Sequence, residues 1–288
     1  MSEAINYEVI KKSLSGIEEE YTRFQKEHFG NWEIWADASE KVYNREPVDE
    51  SKIPKAFHNE LRAMKILLEM EDLGEFDWNS PKLREAFAAI SGGVFHQFFG
   101  KTIAEIAITL AELIKPETLL EIGAGNGKLT RLTCETMRKK KINLPMVITD
   151  SKPVFNEVIG KIKEDFPEAK INPFLWNKKE EPKDELKAAI KRPSLLYERY
   201  TITYTSVSAI ANIAKVADFI VLGDWLSITG KTYGYDKAFA KIGAKTLLYD
   251  DVKAELNKYY NQFYFFDKKA QEAINSPYVS ILVAWRRN

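Results

Sequence analysis

In the first 115 residues, apolar side chains recur at helical spacing between short polar breaks. This spacing predicts amphipathic helices at residues 5–27, 55–73, 81–90 and 101–114. Gly16 could divide the first of them into a pair. Ser80 and Pro81 favour the start of the third, because serine can cap free amides and proline suits a first turn. Residues 1–115 are therefore predicted to form an N-terminal helical region.

After residue 116, short apolar runs alternate with helical segments, which is typical of a parallel sheet covered by helices on both faces. Strands are predicted at residues 118–123, 146–150, 169–176, 244–251, 262–267 and 278–285. The intervening pattern predicts helices at residues 128–137, 154–166 and 237–242. Residues 116–288 are therefore predicted to form an α/β domain.

The stretch 182–217 leaves the fourth strand undecided. A helical pattern at 183–191 is followed by TITYTS (201–206), whose composition is typical of a strand. In one interpretation 182–217 is an insertion and the apolar run 217–226 is the fourth strand. In the other, residues 201–206 form that strand.

A glycine-rich loop lies between the first predicted strand and the next helix, and it runs Glu121-Ile122-Gly123-Ala124-Gly125-Asn126-Gly127-Lys128. Glycine allows the main chain to approach a ligand closely, and the free amides of the following helix attract negative charge. A ligand is therefore expected at the carboxyl ends of the first strands. A dinucleotide fingerprint would need Gly or Ala where Lys128 stands, which disfavours a nicotinamide dehydrogenase. A purely structural turn is the remaining alternative.

The E-x-G-x-G-x-G spacing resembles motif I of class I S-adenosylmethionine-dependent methyltransferases. LLEIGAGNGKLT followed by TDSKP is similar to the C-methylating domains of polyketide synthases. The resemblance implies a seven-stranded Rossmann-like sheet, with residues 1–115 as a helical cap, and a methyltransferase that uses S-adenosyl-L-methionine and releases S-adenosyl-L-homocysteine. The cofactor contacts that it implies are Glu121, Gly123, Ala124, Gly125, Asn126, Gly127, Asp150, Ser151, Trp176 and Asn177.

In the resemblance, Asp150 holds both ribose hydroxyls and Asn177 reads the adenine amine. Asp150 could also cap the next helix, and Asn177 could be a plain loop residue.

Candidates on the acceptor side follow from their positions. Asp224 ends an apolar run and could orient or deprotonate an acceptor, or cap a helix. His96 lies in SGGVFHQFFG, which could be a lid that brings the histidine to the acceptor, or it could be a packed histidine. The predicted substrate pocket, in which tyrosines could equally pack the fold, contains Trp225, Tyr200, Tyr204 and Tyr233.

Charge and composition narrow the partners. Lys and Arg number 42 and Asp and Glu number 42, so the net charge is zero, which disfavours nucleic acid and a membrane surface as partners. The single Cys134 excludes a cysteine metal site and indicates a reducing compartment, and no metal is expected. We predict a cytoplasmic enzyme with a small-molecule acceptor whose methylated atom is nitrogen, oxygen or carbon, and a homodimer stays open. The alternatives are a protein or RNA methyltransferase and a non-catalytic cofactor-binding protein.

Overall fold

The computed structural model describes residues 6–70, 80–153 and 155–286. Its N-terminal part is helical, as predicted. The five helices there are α1 (Tyr7–Phe29), α2 (Trp32–Tyr43), α3 (His58–Leu68), α4 (Pro81–Gly92) and α5 (Val94–Ile114). The Asn6 side chain caps α1 by accepting the Val9 amide at 3.1 Å, and Ser80 caps α4 by accepting the Leu83 amide at 3.3 Å. Residues 71–73, the end of the predicted helix 55–73, lie outside the described residues.

Two features of the helical region differ from the sequence prediction. Helix α2 was not predicted, although Asn31 caps it by accepting the Glu33 amide at 2.9 Å and its buried face repeats every three or four residues. Helix α5 begins at Val94, well before residue 101, so the segment around His96 is the first turn of a long helix.

The sheet has eight strands: β1 (Thr118–Ile122), β2 (Met146–Asp150), β3 (Ile171–Leu175), β4 (Ser194–Arg199), β5 (Phe219–Ser227), β6 (Leu247–Leu248), β7 (Gln262–Phe265) and β8 (Tyr278–Trp285). Seven of them follow the order β3-β2-β1-β4-β5-β8-β7, and the short β6 pairs with the end of β5. Strand β8 is antiparallel to both neighbours, while β1 to β5 are parallel. The predicted seven-stranded α/β sheet is thus confirmed, with β6 as an addition.

Helices connect the strands and cover both faces of the sheet. They are α6 (Lys128–Lys140), α7 (Phe155–Asp165), α8 (Asp184–Ala189), α9 (Ala209–Ala214), α10 (Gly234–Ala240), α11 (Tyr249–Leu256) and α12 (Lys268–Ala273). Helix α5 packs on α6 and β4, and α1 packs on α12 and β7, so the N-terminal helices extend one face of the sheet core. A second apolar cluster lies on the opposite face.

Both interpretations of the fourth strand were wrong. The fourth strand is β4, the SLLYER segment, and it lies at the centre of the sheet, so residues 182–217 are not an insertion. TITYTS cannot extend it because Tyr200 has a φ of 57° and Ile202–Tyr204 form a 3-10 turn. The run 217–226 belongs to β5.

The predicted strand at 244–251 was wrong except for Leu247 and Leu248. Helix α11 begins at Tyr249, directly after them, and carries Asp250 and Asp251 in its first turn. Acidic side chains at a helix start are favourable because free amides there attract negative charge.

The start of α10 is pressed against α2. A Cβ atom added to Gly234 would lie 2.0 Å from the Ser39 carbonyl oxygen, so only glycine fits there. Nearby, the Lys237 ammonium lies 2.9 Å from the Glu40 carboxylate. These contacts join the helical region to the loop that follows β5. Among the described helices, none has both the length and the apolar character needed to cross a bilayer.

Candidate active site

A cavity of about 830 Å³ lies at the carboxyl ends of the parallel strands. This is the edge where ligands bind in open α/β sheets. One end is lined by the glycine loop and the segments after β2 and β3. The other end is lined by the segments after β4 and β5, by α10, and by parts of α4 and α5 that include Phe87, Ile90 and His96.

The glycine loop has the backbone conformation that its sequence predicts. Gly123, Gly125 and Gly127 have φ values of 67°, 54° and 72°. A Cβ atom at Gly123 would lie 2.4 Å from Thr201 Oγ1, and one at Gly127 would lie 2.5 Å from Val158 Cγ1. Glycine is required at these positions both for the left-handed conformation and for the close packing.

Asp150 ends β2 and joins the glycine loop to the segment after its own strand. Its Oδ2 accepts the Gly125 amide at 2.9 Å, and its Oδ1 accepts the Lys152 amide at 3.0 Å. The carboxylate lines the cavity beside Ser151, Ala124 and Asn126. Because Asp150 Oδ1 accepts the amide two residues further along, the chain forms an Asx turn between β2 and α7.

Trp176 and Asn177 also line the cavity, after β3. The Trp176 amide donates to the Asp150 carbonyl at 2.9 Å, and its indole N–H donates to the Glu180 carbonyl at 3.1 Å. Asn177 accepts the Lys179 amide at 3.1 Å and donates to the Glu180 carboxylate at 3.3 Å. These bonds fix a turn beside Asp150.

Glu121 and Gly127 do not line the cavity. Glu121 is buried behind the loop, where the Tyr197 hydroxyl donates to it at 3.1 Å. Burial raises the pKa of Glu121 to about 7. The positions of Glu121 and Gly127 favour a structural role in the loop rather than contact with a ligand.

Asp224 lies in the cavity wall and is 2% exposed. It accepts the Thr203 amide at 2.8 Å and the Trp225 amide at 2.9 Å. Burial raises its pKa to about 6. Glu198, on the neighbouring strand, has a pKa raised to about 8 by burial and by the charge of Asp224. At neutral pH we therefore assign the charge of this pair to Asp224.

Three of the four predicted pocket residues line the cavity: Tyr200, Tyr204 and Trp225. Tyr233 does not, because it precedes α10 and packs beside Trp32 and Tyr278. The cavity is lined instead by Tyr235, two residues further along and in the first turn of α10. The Tyr200 hydroxyl and the Trp225 indole N–H are buried and have no hydrogen-bond partner among the described residues.

His96 lines the cavity from the first turn of α5 and is 3% exposed. Its Nε2 lies 3.4 Å from Oε1 of the buried Glu60. Burial and the nearby Arg199 hold the pKa of His96 well below its usual range, and burial raises the pKa of Glu60 to about 8. Both groups are therefore neutral at pH 7. This placement matches the packed histidine of a helix turn, at the cavity wall.

Replacing Glu60 with glutamine should flatten the dependence of stability on pH. The Glu60 pKa is about 8 in the folded chain against an ordinary value of 4.5. Between these values the unfolded chain releases a proton that the folded chain keeps, so stability falls as pH rises. The stability of Glu60→Gln relative to the native chain should rise by about 1.4 kcal/mol per pH unit in this range. Urea denaturation at pH 5, 6, 7 and 8 measures this difference.

Glu85→Gln is the matched control, because Glu85 is exposed and pairs with Arg62 at 3.2 Å. Its stability should run parallel to that of the native chain. A parallel curve for Glu60→Gln as well would contradict the raised pKa.

Arg199 lines the cavity and was missed by the sequence analysis. It is the last residue of β4, and a charged residue at the carboxyl end of a parallel strand is a recognisable signal. The signal was lost because β4 itself was not recognised. No cluster of metal-ligating side chains is found in the described parts of the chain.

No protein family model matches the chain, and no curated protein matches its sequence. Solved structures do match it. The DszA carbon methyltransferase has a TM-score of 0.62 at 12% identity, covering 81% of this chain and 67% of its own. The CurJ carbon methyltransferase has a TM-score of 0.60 at 11% identity, covering 97% and 92%.

The CMeT domain of the citrinin polyketide synthase has a TM-score of 0.59 at 13% identity. The match covers 80% of this chain and 65% of that domain, which is less than two thirds of its length. These likenesses show the fold, and the predicted class I methyltransferase fold is confirmed.

Proposed function

We propose that the chain is an S-adenosylmethionine-dependent methyltransferase that acts on a small organic acceptor. The observation that carries the proposal is the glycine loop of Gly123, Gly125 and Gly127, tied to the Asp150 carboxylate at the edge of the cavity. The loop follows a parallel strand of a sheet with the class I fold.

The residues present fit the cofactor. Gly123 has no side chain, so Thr201 can pack against it, and the glycine loop can line the cavity with its backbone. Asp150 offers carboxylate oxygens to ribose hydroxyls, and Trp176 and Asn177 lie where an adenine ring would follow. S-adenosylmethionine would supply a methyl group that the sulfonium charge has already activated.

The chain's own contribution is to align the acceptor, exclude water and hold a proton. Alignment and removal of water lower the barrier of an in-line displacement. Asp224 supplies a carboxylate in the cavity wall, and with a pKa of about 6 it is ionised at neutral pH and can take up a proton from an acceptor.

The acceptor end favours a mid-sized molecule with an aromatic or apolar body. Tyr200, Tyr204, Trp225 and Tyr235 give it an aromatic wall. The unpartnered Tyr200 hydroxyl and Trp225 indole N–H favour an acceptor that carries an oxygen able to accept hydrogen bonds. A net charge of zero favours a small molecule over nucleic acid. The cytoplasmic setting and a homodimer stay predictions.

Calorimetric titration of the full chain with S-adenosylhomocysteine tests the proposal. We expect one site per chain with micromolar affinity. Incubation with S-adenosylmethionine carrying a labelled methyl group and a panel of aromatic hydroxy, amino and β-keto compounds should then give a labelled product. The panel separates oxygen, nitrogen and carbon as the methylated atom.

Two outcomes would count against the proposal. Absence of binding at millimolar S-adenosylhomocysteine would contradict S-adenosylmethionine as the cofactor. Tight binding without transfer to any small molecule would favour a non-catalytic cofactor-binding protein.

A further inference from the structure

Arg199 is a partly buried cation that forms no ion pair with a carboxylate among the described residues. Its guanidinium donates to the His96 carbonyl at 3.0 Å, and within residues 6–70, 80–153 and 155–286 its side chain has no other hydrogen bond and no salt bridge. The residue lines the cavity. An arginine stays charged at neutral pH, and a buried charge without a counter-ion is unfavourable. The site is therefore suited to an anion.

The nearest carboxyl groups do not fill this role. Glu198 directs its two oxygens to the amides of Thr201, at 2.7 Å, and Gly223, at 2.9 Å. Glu121 accepts the Tyr197 hydroxyl. Burial raises the pKa of Glu198 to about 8 and that of Glu121 to about 7, so neither supplies a full negative charge at neutral pH.

Further positive charge lies on the same side of the loop. Lys128 follows Gly127, and its ammonium donates to the Ser91 carbonyl. Burial and the charge of Arg199 lower the pKa of Lys128, so the two cations are close enough to repel each other.

Strand register places Arg199 relative to Asp150. Strands β1 and β4 pair with Ile122 opposite Glu198, so Arg199 follows at the level of Gly123. Asp150 ends β2, on the other side of β1. Two strand spacings separate β2 from β4, which is about 10 Å. The cation and the carboxylate therefore flank the glycine loop on opposite sides.

We propose that Arg199 binds the carboxylate of the amino acid end of S-adenosylmethionine. The inference rests on the proposed function. With the ribose at Asp150, the rest of the molecule runs over the glycine loop toward β4, and its carboxylate reaches the guanidinium. A guanidinium and a carboxylate form two parallel, charge-assisted hydrogen bonds. The cofactor thus provides a counter-ion that the described residues do not.

Two ligands that differ in this carboxylate test the inference by calorimetry. S-adenosylhomocysteine has the amino acid end, and 5′-methylthioadenosine has the same adenosine and thioether without it. Arg199→Gln should weaken S-adenosylhomocysteine roughly 10- to 100-fold. Its affinity for 5′-methylthioadenosine should stay within about twofold, which also shows that the variant keeps a folded adenosine site. Arg199→Lys keeps a cation and should recover part of the loss.

Arg62→Gln is the control, because Arg62 is exposed and pairs with Glu85 outside the cavity. It should bind both ligands like the native chain. Equal weakening of both ligands by Arg199→Gln, or of neither, overturns the inference. If Arg199→Gln does not fold, the ratio of the two affinities in Arg199→Lys decides in the same way. A native chain that binds neither ligand defeats the proposed function itself.

Discussion

Replacing Gly123 with alanine is expected to weaken the binding of S-adenosylhomocysteine by at least roughly 10-fold. The new Cβ would lie 2.4 Å from Thr201 Oγ1, on a backbone with a φ of 67°. The left-handed conformation alone disfavours alanine by about 1–2 kcal/mol. Relief of the contact also requires the loop to move, and the loop lines the cavity. Calorimetry measures the loss of affinity, and urea denaturation measures the loss of stability.

Gly160→Ala is the matched control for this change. Gly160 lies exposed in α7, and a Cβ atom added to it would meet no atom within 4 Å beyond its own stretch of helix. Alanine there should raise stability by about 0.5–1 kcal/mol and leave binding unchanged.

The double variant Gly123→Ala, Thr201→Ala separates the collision from the backbone strain. It removes Thr201 Oγ1 and Cγ2, and leaves Thr201 Cβ at 3.3 Å. Partial recovery of binding is expected. Unchanged binding in the single variant would contradict the proposed position of the cofactor over the loop.

Replacing Asp150 with asparagine is expected to weaken S-adenosylhomocysteine by roughly 10- to 100-fold, the range of a lost charge-assisted hydrogen bond. The two oxygens of Asp150 accept amides from Gly125 and Lys152. Asparagine has one side-chain oxygen, so its amino group would face one of these N–H groups. The variant would therefore weaken the hydrogen bonding that joins the glycine loop to β2, and it would remove a charged acceptor for the ribose hydroxyls.

Calorimetry with S-adenosylhomocysteine and with 5′-methylthioadenosine checks this result. Both ligands should weaken together, since both carry the ribose, in contrast to the selective loss expected for Arg199→Gln. Asp37→Asn serves as the control, because Asp37 is exposed on α2 and pairs with Lys41 at 2.7 Å. Full affinity in Asp150→Asn would show that Asp150 acts only as a turn residue.

Much of the fold could be predicted from the pattern of apolar residues. The first three strands and the helices between them alternate regularly, so periodicity locates them. Strand β4 was missed because TITYTS, with its β-branched residues, has the more typical strand composition. Tertiary contacts decide otherwise, since the Glu198 carboxyl accepts the Thr201 amide and turns the chain directly after β4.

Most of the residues predicted for the cofactor end line the cavity, because their positions depend on local sequence. Asp150 ends a strand, Gly123 and Asn177 come shortly after strands, and all three line the cavity at one edge of the sheet. The acceptor end depends on where α10 begins and how it packs, and for that reason Tyr235 lines the cavity in place of Tyr233. Arg199 has no counter-ion in the part of the chain that the structure describes, and this is a three-dimensional property that no local pattern contains.

The close packing of Gly234 against Ser39 has a consequence for how the protein could diversify. Helix α10 lines the acceptor end, and its position depends on α2, whereas the glycine loop and Asp150 belong to the sheet. Changes on α2 can therefore reshape the acceptor end while the glycine loop and Asp150 keep their geometry. In the proposed function, substitutions on α2 would therefore alter contacts with the acceptor and leave the residues proposed to bind the cofactor in place.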